Sequence, residues 1–162
     1  MEQFNKKRQQ IISDCVKAMT KKKSNVLFVC VENSNRSQMA EAFARMHGDA
    51  DVTTWSSGSR PSGMINPRAV AAMAELSYDL SQHRSKALND LPQDIEWDYV
   101  VTMGCGDECP FLRAVHREDW ALPDPRHMER EQFNIVRDEI ERRVKQLLDR
   151  VQDEKDRPTA GD

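Results

Sequence analysis

Apolar residues along this chain follow two alternating periods, one of strands and one of helices. Val26-Leu27-Phe28-Val29 is a continuous apolar run closed by Cys30, the pattern of a buried strand in a parallel sheet. From Gln38 to His47 the period lengthens, with Met39, Phe43 and Met46 on one helical face. Asp51–Ser56 reads as a second strand, closed by Ser57-Gly58. A helix then starts at Ile65 or Asn66 with Pro67 in its first turn, where proline is favoured, and its apolar side is Ala69, Val70, Met73, Ala74 and Leu76. Trp97–Met103 is another buried strand, and Gly104–Arg126 a long loop region that a short strand near Arg117–Trp120 interrupts. Glu129–Val151 is the final helix, with Phe133, Ile135, Val136, Ile140, Val144, Leu147 and Leu148 at helical spacing. Strands alternating with helices predict an α/β domain whose parallel sheet is covered on both faces. In such sheets the site lies beyond the carboxyl ends of the strands, where Cys30 and Gly104-Cys105 both fall.

Two segments flank this pattern. In the first, Phe4, Ile11, Ile12, Cys15, Val16 and Met19 share one face of a short amphipathic helix that runs into Lys21-Lys22-Lys23. Such a helix packs on the domain or on a second chain, with Cys15 as a small buried hydrophobe. Asp153–Asp162 reads as a flexible tail. The expected organisation is thus an N-terminal helical extension (1–24), one domain (25–152) and a tail (153–162).

Composition narrows the class. The 162 residues are 38% hydrophobic and 31% charged, enough for one domain with a core under a polar surface. A net charge of −3 carries no nucleic-acid footprint. No apolar run approaches a membrane span and no signal-peptide core opens the chain, so a cytoplasmic location is expected, with no membrane partner. Four cysteines without an extracellular signature are then catalytic, metal-binding or inert thiols.

One segment carries chemistry. Cys30 ends its strand and is followed by Val31, Glu32, Asn33, Ser34 and Asn35, then Arg36-Ser37 and a helix. Strand, short polar loop and helix bring backbone N–H groups and a helix N-terminus onto an anion. A cysteine at the mouth of that loop is expected to have its thiolate stabilised and its pKa lowered. Arg36 is placed to fork onto two oxygens of a tetrahedral oxyanion. The combination describes nucleophilic attack on phosphate or a phosphate look-alike.

Cys30-x5-Arg36-Ser37, followed by Gln-Met-Ala-Glu-Ala-Phe, resembles the low-molecular-weight tyrosine phosphatase superfamily, and more narrowly its thioredoxin-coupled arsenate reductase branch. The likeness runs from Val26 to Leu148 through Trp55-Ser56-Ser57-Gly58, Asn66-Pro67-Arg68-Ala69, Val100–Met103 and Asp119–Pro125. It implies a three-layer α/β/α sandwich on a four-stranded parallel sheet. It implies Cys30 as nucleophile, Arg36 as oxyanion clamp, Ser37 as hydrogen-bond partner of the thiolate, and Asn33 as a brace of the loop. Asp124, in Asp124-Pro125, matches the family's general acid; a carboxyl facing an oxyanion and a thiolate should have its pKa raised.

Cys105-Gly106-Asp107-Glu108-Cys109 matches the reductase branch, whose turnover ends in a protein disulfide. By that resemblance Cys30 attacks arsenate, Cys105 attacks Cys30 and expels arsenite, and Cys109 resolves the pair to Cys105–Cys109. An external thiol system, thioredoxin or glutaredoxin, then regenerates the enzyme, no cofactor is bound, and phosphate competes with arsenate. Gly104 and Gly106 give Cys105 mobility. Asp124-Pro125 runs into Arg126-His127-Met128, without the aromatics that phosphatases of the family place there. Glu32 stands where the family loop usually has glycine, and should point outward. Some arsenate reductases hold a monovalent cation near the loop; Asn33, Glu41 and Ser56 match three of its positions, while Lys86 occupies the fourth. The lysine ammonium then replaces the cation, and neither potassium nor another metal is expected.

Two rival readings stand beside this one. A tyrosine, acyl or aryl phosphatase would use Cys30, Arg36 and Asp124 alone. A non-enzymatic regulator would use the cradle for an oxyanion, or Cys105, Cys109 and His116 or His127 for zinc, though this spacing fits no common zinc module. His47 and His83 read as structural hydrogen-bonders, and Trp55, Trp97 and Trp120 as packing anchors.

Overall fold

The computed structural model describes residues 1–20, 22–106, 109 and 111–157. Lys21 of the lysine run, Asp107 and Glu108 between the paired cysteines, and the tail from 158 lie outside the described residues. The elements in order are α1 (Glu2–Thr20), β1 (Ser24–Cys30), α2 (Arg36–His47), β2 (Val52–Gly58), α3 (Pro67–Ala74), β3 (Trp97–Thr102), β4 (Ala114–Asp119) and α4 (Arg130–Asp156). Short 3-10 turns at Leu80–Gln82 and Leu88–Asp90 punctuate the stretch between α3 and β3.

The strands form one parallel sheet in the order β2-β1-β3-β4. β1 is central, which is why its apolar residues run without a break: Val26, Leu27 and Phe28 have no exposed surface. Alternation splits them between the two faces. Val26, Phe28 and Cys30 join the larger core with α2, α3 and α4, where Phe43, Met73, Phe133 and Ile140 are fully or almost fully buried. Leu27, Val29 and Val100 face the other way. That second face carries no long helix among the described residues; Leu88, Leu91, Trp55, Trp97, Cys109 and Leu112 cover it. The outer layer on this side is built from turns and from the segment between β3 and β4.

Several helix details differ from expectation. On α3, Ala72 is buried and Ala74 exposed, because Ala69, Ala72 and Met73 fall at the three- and four-residue spacings that face α4. On α4, Ile135 is 69% exposed: it lies two residues from Phe133 and so on the far side of the helix. α4 also continues to Asp156, so the tail expected from Asp153 is helical over its first residues. There Val151 is buried and Glu154 accepts a hydrogen bond from the Tyr99 hydroxyl (2.8 Å), which anchors the last turns to β3. In α1, Phe4, Ile11, Ile12 and Val16 are exposed, as is Cys15, contrary to its reading as a buried hydrophobe. These apolar side chains of α1 are exposed and not part of the core, and the Met19 side chain lies outside the described residues. Among the described residues no helix is long and apolar enough to cross a membrane.

Candidate active site

β1 delivers Cys30 to the carboxyl edge of the sheet, opposite Gly58 at the end of β2. A Cβ on Gly58 would lie 2.5 Å from the Val31 carbonyl oxygen and 3.0 Å from Asn33, so only glycine lets the loop close against β2. The carbonyls of Cys30, Val31, Glu32 and Ser34 are turned outward. Ser59 N–H donates to Cys30 O (3.2 Å), Arg60 N–H to Val31 O (2.8 Å), Ser62 N–H to Glu32 O (3.0 Å) and Asn66 N–H to Ser34 O (3.1 Å). In a trans peptide the C=O and the following N–H are opposed, so outward carbonyls turn the loop's N–H groups inward. Asn33 adopts a left-handed φ of 51°, which bends the loop enough for its own N–H to donate to Cys30 Sγ at 3.2 Å.

Cys30 itself is 4% exposed, and its Sγ lies 2.8 Å from Ser37 Oγ. Ser37 Oγ already accepts from Asn33 Nδ2 (2.8 Å), which leaves the hydroxyl hydrogen to donate to sulfur. Behind it stands a longer chain. Gln38 Nε2 donates to Asn33 Oδ1 (2.7 Å), and Gln38 Oε1 accepts from His83 Nδ1 (2.9 Å), so His83 Nε2 accepts from the Tyr78 hydroxyl (2.7 Å). Burial pushes the His83 pKa down against the opposing pull of Glu41, in keeping with a neutral ring in this chain.

Glu41, Ser56 and Lys86 form a buried cluster beneath the loop. Ser56 Oγ donates to Glu41 Oε2 at 2.5 Å, Arg45 pairs with Glu41 Oε1 at 2.7 Å, and Lys86 Nζ lies 3.7 Å from Glu41 Oε2. Lys86 also reaches Ser56 Oγ (3.3 Å) and the Arg84 carbonyl (3.4 Å), and its backbone N–H holds Asn33 Oδ1 (2.9 Å). Burial lowers the Lys86 pKa, and Glu41 partly offsets this.

Cys30, Val31, Glu32, Ser34, Asn35 and Arg36 line one side of a cavity of about 300 Å³, and Arg60, Asp124 and Arg126 complete it. Arg36 Nη1 donates to the carbonyls of Met103 (2.6 Å) and Leu122 (2.8 Å), tying together the loops after β3 and β4. Asp124 accepts from the Arg126 N–H (3.0 Å) and stands across the cavity from the anion loop. A thiol, inward N–H groups, guanidinium and a carboxyl around one space have the components for nucleophilic displacement at a tetrahedral oxyanion with protonation of the departing oxygen.

Cys105 and Cys109 are joined to each other in a disulfide, with a Cα–Cα separation of 5.8 Å, and do not line this cavity. Gly104 and Gly106 on either side of Cys105 have φ of 73° and 56°. Asp119 Oδ1 accepts from Gly104 N–H (2.8 Å) and Thr102 Oγ1 (2.7 Å), fixing the root of the segment. Among the described residues, no three His, Cys, Asp or Glu side chains gather as a metal site.

The structure thus brings Cys30, the loop residues 31–35, Arg36, Ser37 and Asp124 together, and Asn33, Glu41, Ser56 and Lys86 together beneath them. Sequence reasoning did not single out Gln38, Arg60 or Arg126. Gln38 and Arg60 carried no signal of their own, and Arg126 registered only as the residue standing where an aromatic was sought.

A strand-end cysteine in a backbone anion cradle on a parallel sheet is the architecture of a cysteine-dependent phosphatase fold. Residues 25–157 match the family described as Low molecular weight phosphotyrosine protein phosphatase, and the chain belongs to it. It is 36% identical over 129 residues to the Glutaredoxin arsenate reductase of Synechocystis sp., covering 78% of this chain and 97% of that one. Among solved structures, an arsenate reductase in the phosphate binding state aligns with a TM-score of 0.70 at 35% identity, over 78% of this chain and 98% of that one. The Corynebacterium glutamicum thioredoxin-dependent arsenate reductase aligns over 94% of this chain and 74% of that one, at 31% identity and a TM-score of 0.67.

Proposed function

We propose that this chain is an arsenate reductase that works through three of its cysteines. The observation that carries the reading is the Cys105–Cys109 disulfide on a glycine-flanked segment that is rooted by Arg36 and Asp119 beside the Cys30 cradle. A phosphatase of this fold has no use for such a pair. Similarity to proteins named arsenate reductases supports the same conclusion.

In this mechanism the Cys30 thiolate, held by Ser37 Oγ and the Asn33 N–H, attacks arsenic(V). An As–O bond breaks, and Asp124 protonates the departing oxygen, which leaves as water. The loop N–H groups and the Arg36 guanidinium balance the oxyanion charge. Arg36 Nη1 is committed to two carbonyls, which leaves the Nε and Nη2 donors for the arsenate. Cys105, as thiolate, then attacks Cys30 Sγ. The As–S electron pair stays on arsenic, which leaves as arsenite(III), and a Cys30–Cys105 disulfide forms. Cys109 attacks Cys105 Sγ and releases Cys30, giving the Cys105–Cys109 bond. Two electrons from an external dithiol, thioredoxin or a glutaredoxin system, reopen it. Phosphate, with the same shape and charge, competes for the cradle. Lys86 supplies the positive charge beneath the loop, so no metal takes part.

The test is arsenate-dependent NADPH oxidation with thioredoxin and thioredoxin reductase, comparing the wild type with Cys105→Ser and Cys109→Ser. Sustained turnover that both substitutions abolish is the expected result. Failure with both thioredoxin and glutaredoxin systems, alongside brisk cleavage of an aryl phosphate, would make the chain a phosphatase.

A further inference from the structure

The mouth of the cavity holds an ion pair for which the reaction above has no role. Glu32 belongs to the anion loop, and Arg126 follows Asp124-Pro125 on the facing wall. Arg126 Nη2 lies 2.6 Å from Glu32 Oε2 and 3.7 Å from Asp124 Oδ2. These side chains are between 34% and 44% exposed, so the pair adds little to folding stability. Its position gives it another consequence. A carboxylate in an anion loop repels the ligand that the loop exists to bind. In the reacting state, with Cys30 ionised and Asp124 holding the proton it donates, Arg36, Arg60 and Arg126 face the negative charges of Glu32 and Cys30, so the lining carries one net positive charge. Without Arg126 it would be neutral. Arg126 therefore supplies the net positive charge that an incoming anion meets.

We propose that Arg126, held over the cavity by Glu32, is its specificity-determining residue, selecting a compact inorganic oxyanion over an organic ester of the same anion. A free arsenate or phosphate presents a small hydroxyl oxygen toward the mouth, whose lone pair can accept a charge-assisted hydrogen bond from the guanidinium. A monoester presents an uncharged, bulky group there instead. That group must strip water from Arg126 and Glu32 and returns no hydrogen bond. Glu32 keeps the guanidinium aimed across the mouth and neutralises part of its charge until an anion competes for it.

This inference rests on the reading of the cavity as an oxyanion site, and the experiment separates the two. Protection of Cys30 from iodoacetamide is measured with arsenate, phosphate and phenylphosphonate, a non-hydrolysable ester mimic, alongside steady-state turnover. If none of the three protects the wild type, the oxyanion reading itself fails. Given protection, Arg126→Ala is expected to weaken arsenate and phosphate about ten-fold while leaving phenylphosphonate unchanged or tighter, and to raise KM for arsenate more than it lowers kcat. Arg126→Lys should recover most of the loss. Glu32→Gln, which frees the guanidinium, should tighten arsenate binding. Equal weakening of all three ligands would reduce Arg126 to a structural strap. A fall in kcat at constant KM would place its effect on Asp124 instead. Either result overturns the proposal.

Discussion

Replacing Lys86 tests whether an ammonium group does the work of a bound cation beneath the anion loop. Glu41 is 2% exposed and is held by Ser56, Arg45 and Lys86, the last at 3.7 Å. At that separation and an effective dielectric constant of about 20, the gross attraction is about 4.5 kcal/mol. Burial, which lowers the Lys86 pKa, takes back much of it, and Arg45 remains on Glu41 when Lys86 is lost. Lys86→Met should therefore cost about 1–2 kcal/mol, below the range for a charge stranded without partners. Lys86→Asp is harsher. It sets a second carboxylate against Glu41, among the Ser56 hydroxyl and Arg84 carbonyl that Lys86 now binds, and should cost about 3–5 kcal/mol in the absence of a suitable cation. That all-oxygen setting suits a hard monovalent cation, and saturation at a hundred times its Kd would return about 2.7 kcal/mol. Urea unfolding at equal ionic strength in potassium, sodium and tetramethylammonium chloride is the assay. The wild type should show one midpoint in all three salts, and Lys86→Asp a midpoint raised selectively by potassium or sodium. Selective stabilisation of the wild type by potassium would refute the argument, as would a Lys86→Asp variant of wild-type stability in tetramethylammonium.

Ser37→Ala removes the hydroxyl 2.8 Å from Cys30 Sγ, a bond to a charged group worth about 1.5–3 kcal/mol, and should slow alkylation of Cys30 at neutral pH about ten-fold, with recovery in alkali; an unchanged neutral rate would refute it. Gly58→Ala places a Cβ 2.5 Å from the Val31 carbonyl oxygen, a backbone atom that cannot yield without moving the loop. The expected cost is about 1–3 kcal/mol, with weaker protection of Cys30 by phosphate, and a variant with the wild-type melting point and protection would show that the loop does not need this contact. His83 gives a pH signature: burial holds its pKa below the ordinary 6.5, so protons bind the unfolded chain more readily. Stability should fall as the pH drops through 6.5 toward the lowered folded value, and His83→Gln should flatten that slope in urea midpoints; an unaltered slope would assign it to another group.

How far the sequence reveals this molecule depends on whether a feature is periodic or assembled. β1 and α2 are legible because Val26–Cys30 is buried on both faces and Met39 and Phe43 share one side of a helix, so each pattern has a single cause. Asn66 and Pro67 mark the start of α3 because capping is local: Asn66 Oδ1 accepts from Arg68 N–H at 2.9 Å. β4 is the contrary case. Its residues alternate between half-buried and exposed at the edge of the sheet, so Ala114–Asp119 carries charge along much of its length and only its end is legible. The candidate site divides in the same way. Cys30 and Arg36 announce themselves by spacing, and the roles of the other matched residues came from resemblance. Arg126 and Gln38 matter only through partners in other parts of the chain, Glu32 for the one and His83 for the other. No local rule could pair them.

The topology of the sheet also bears on the order of thiol exchange in the proposed relay. Cys30 lies on the face of β1 that packs under α2, with Val26 and Phe28, whereas Cys109 packs against Leu27, Val29 and Val100 on the opposite face. Direct exchange between these two would require Cys109 to leave its apolar seat and pass around the end of the sheet. Cys105 Sγ is bonded to Cys109 Sγ, but its backbone lies next to the end of a strand paired with β1. It comes after β3, the neighbour of β1, at the sheet's carboxyl edge, and Met103 N–H still donates to Val29 O (3.0 Å) one residue before Gly104. The chain up to Gly104 is fixed by Arg36 on Met103 O and Asp119 on Gly104 N–H, and glycine at φ 73° then lets the direction change. That placement fits the proposed part of Cys105 in both disulfides of the relay.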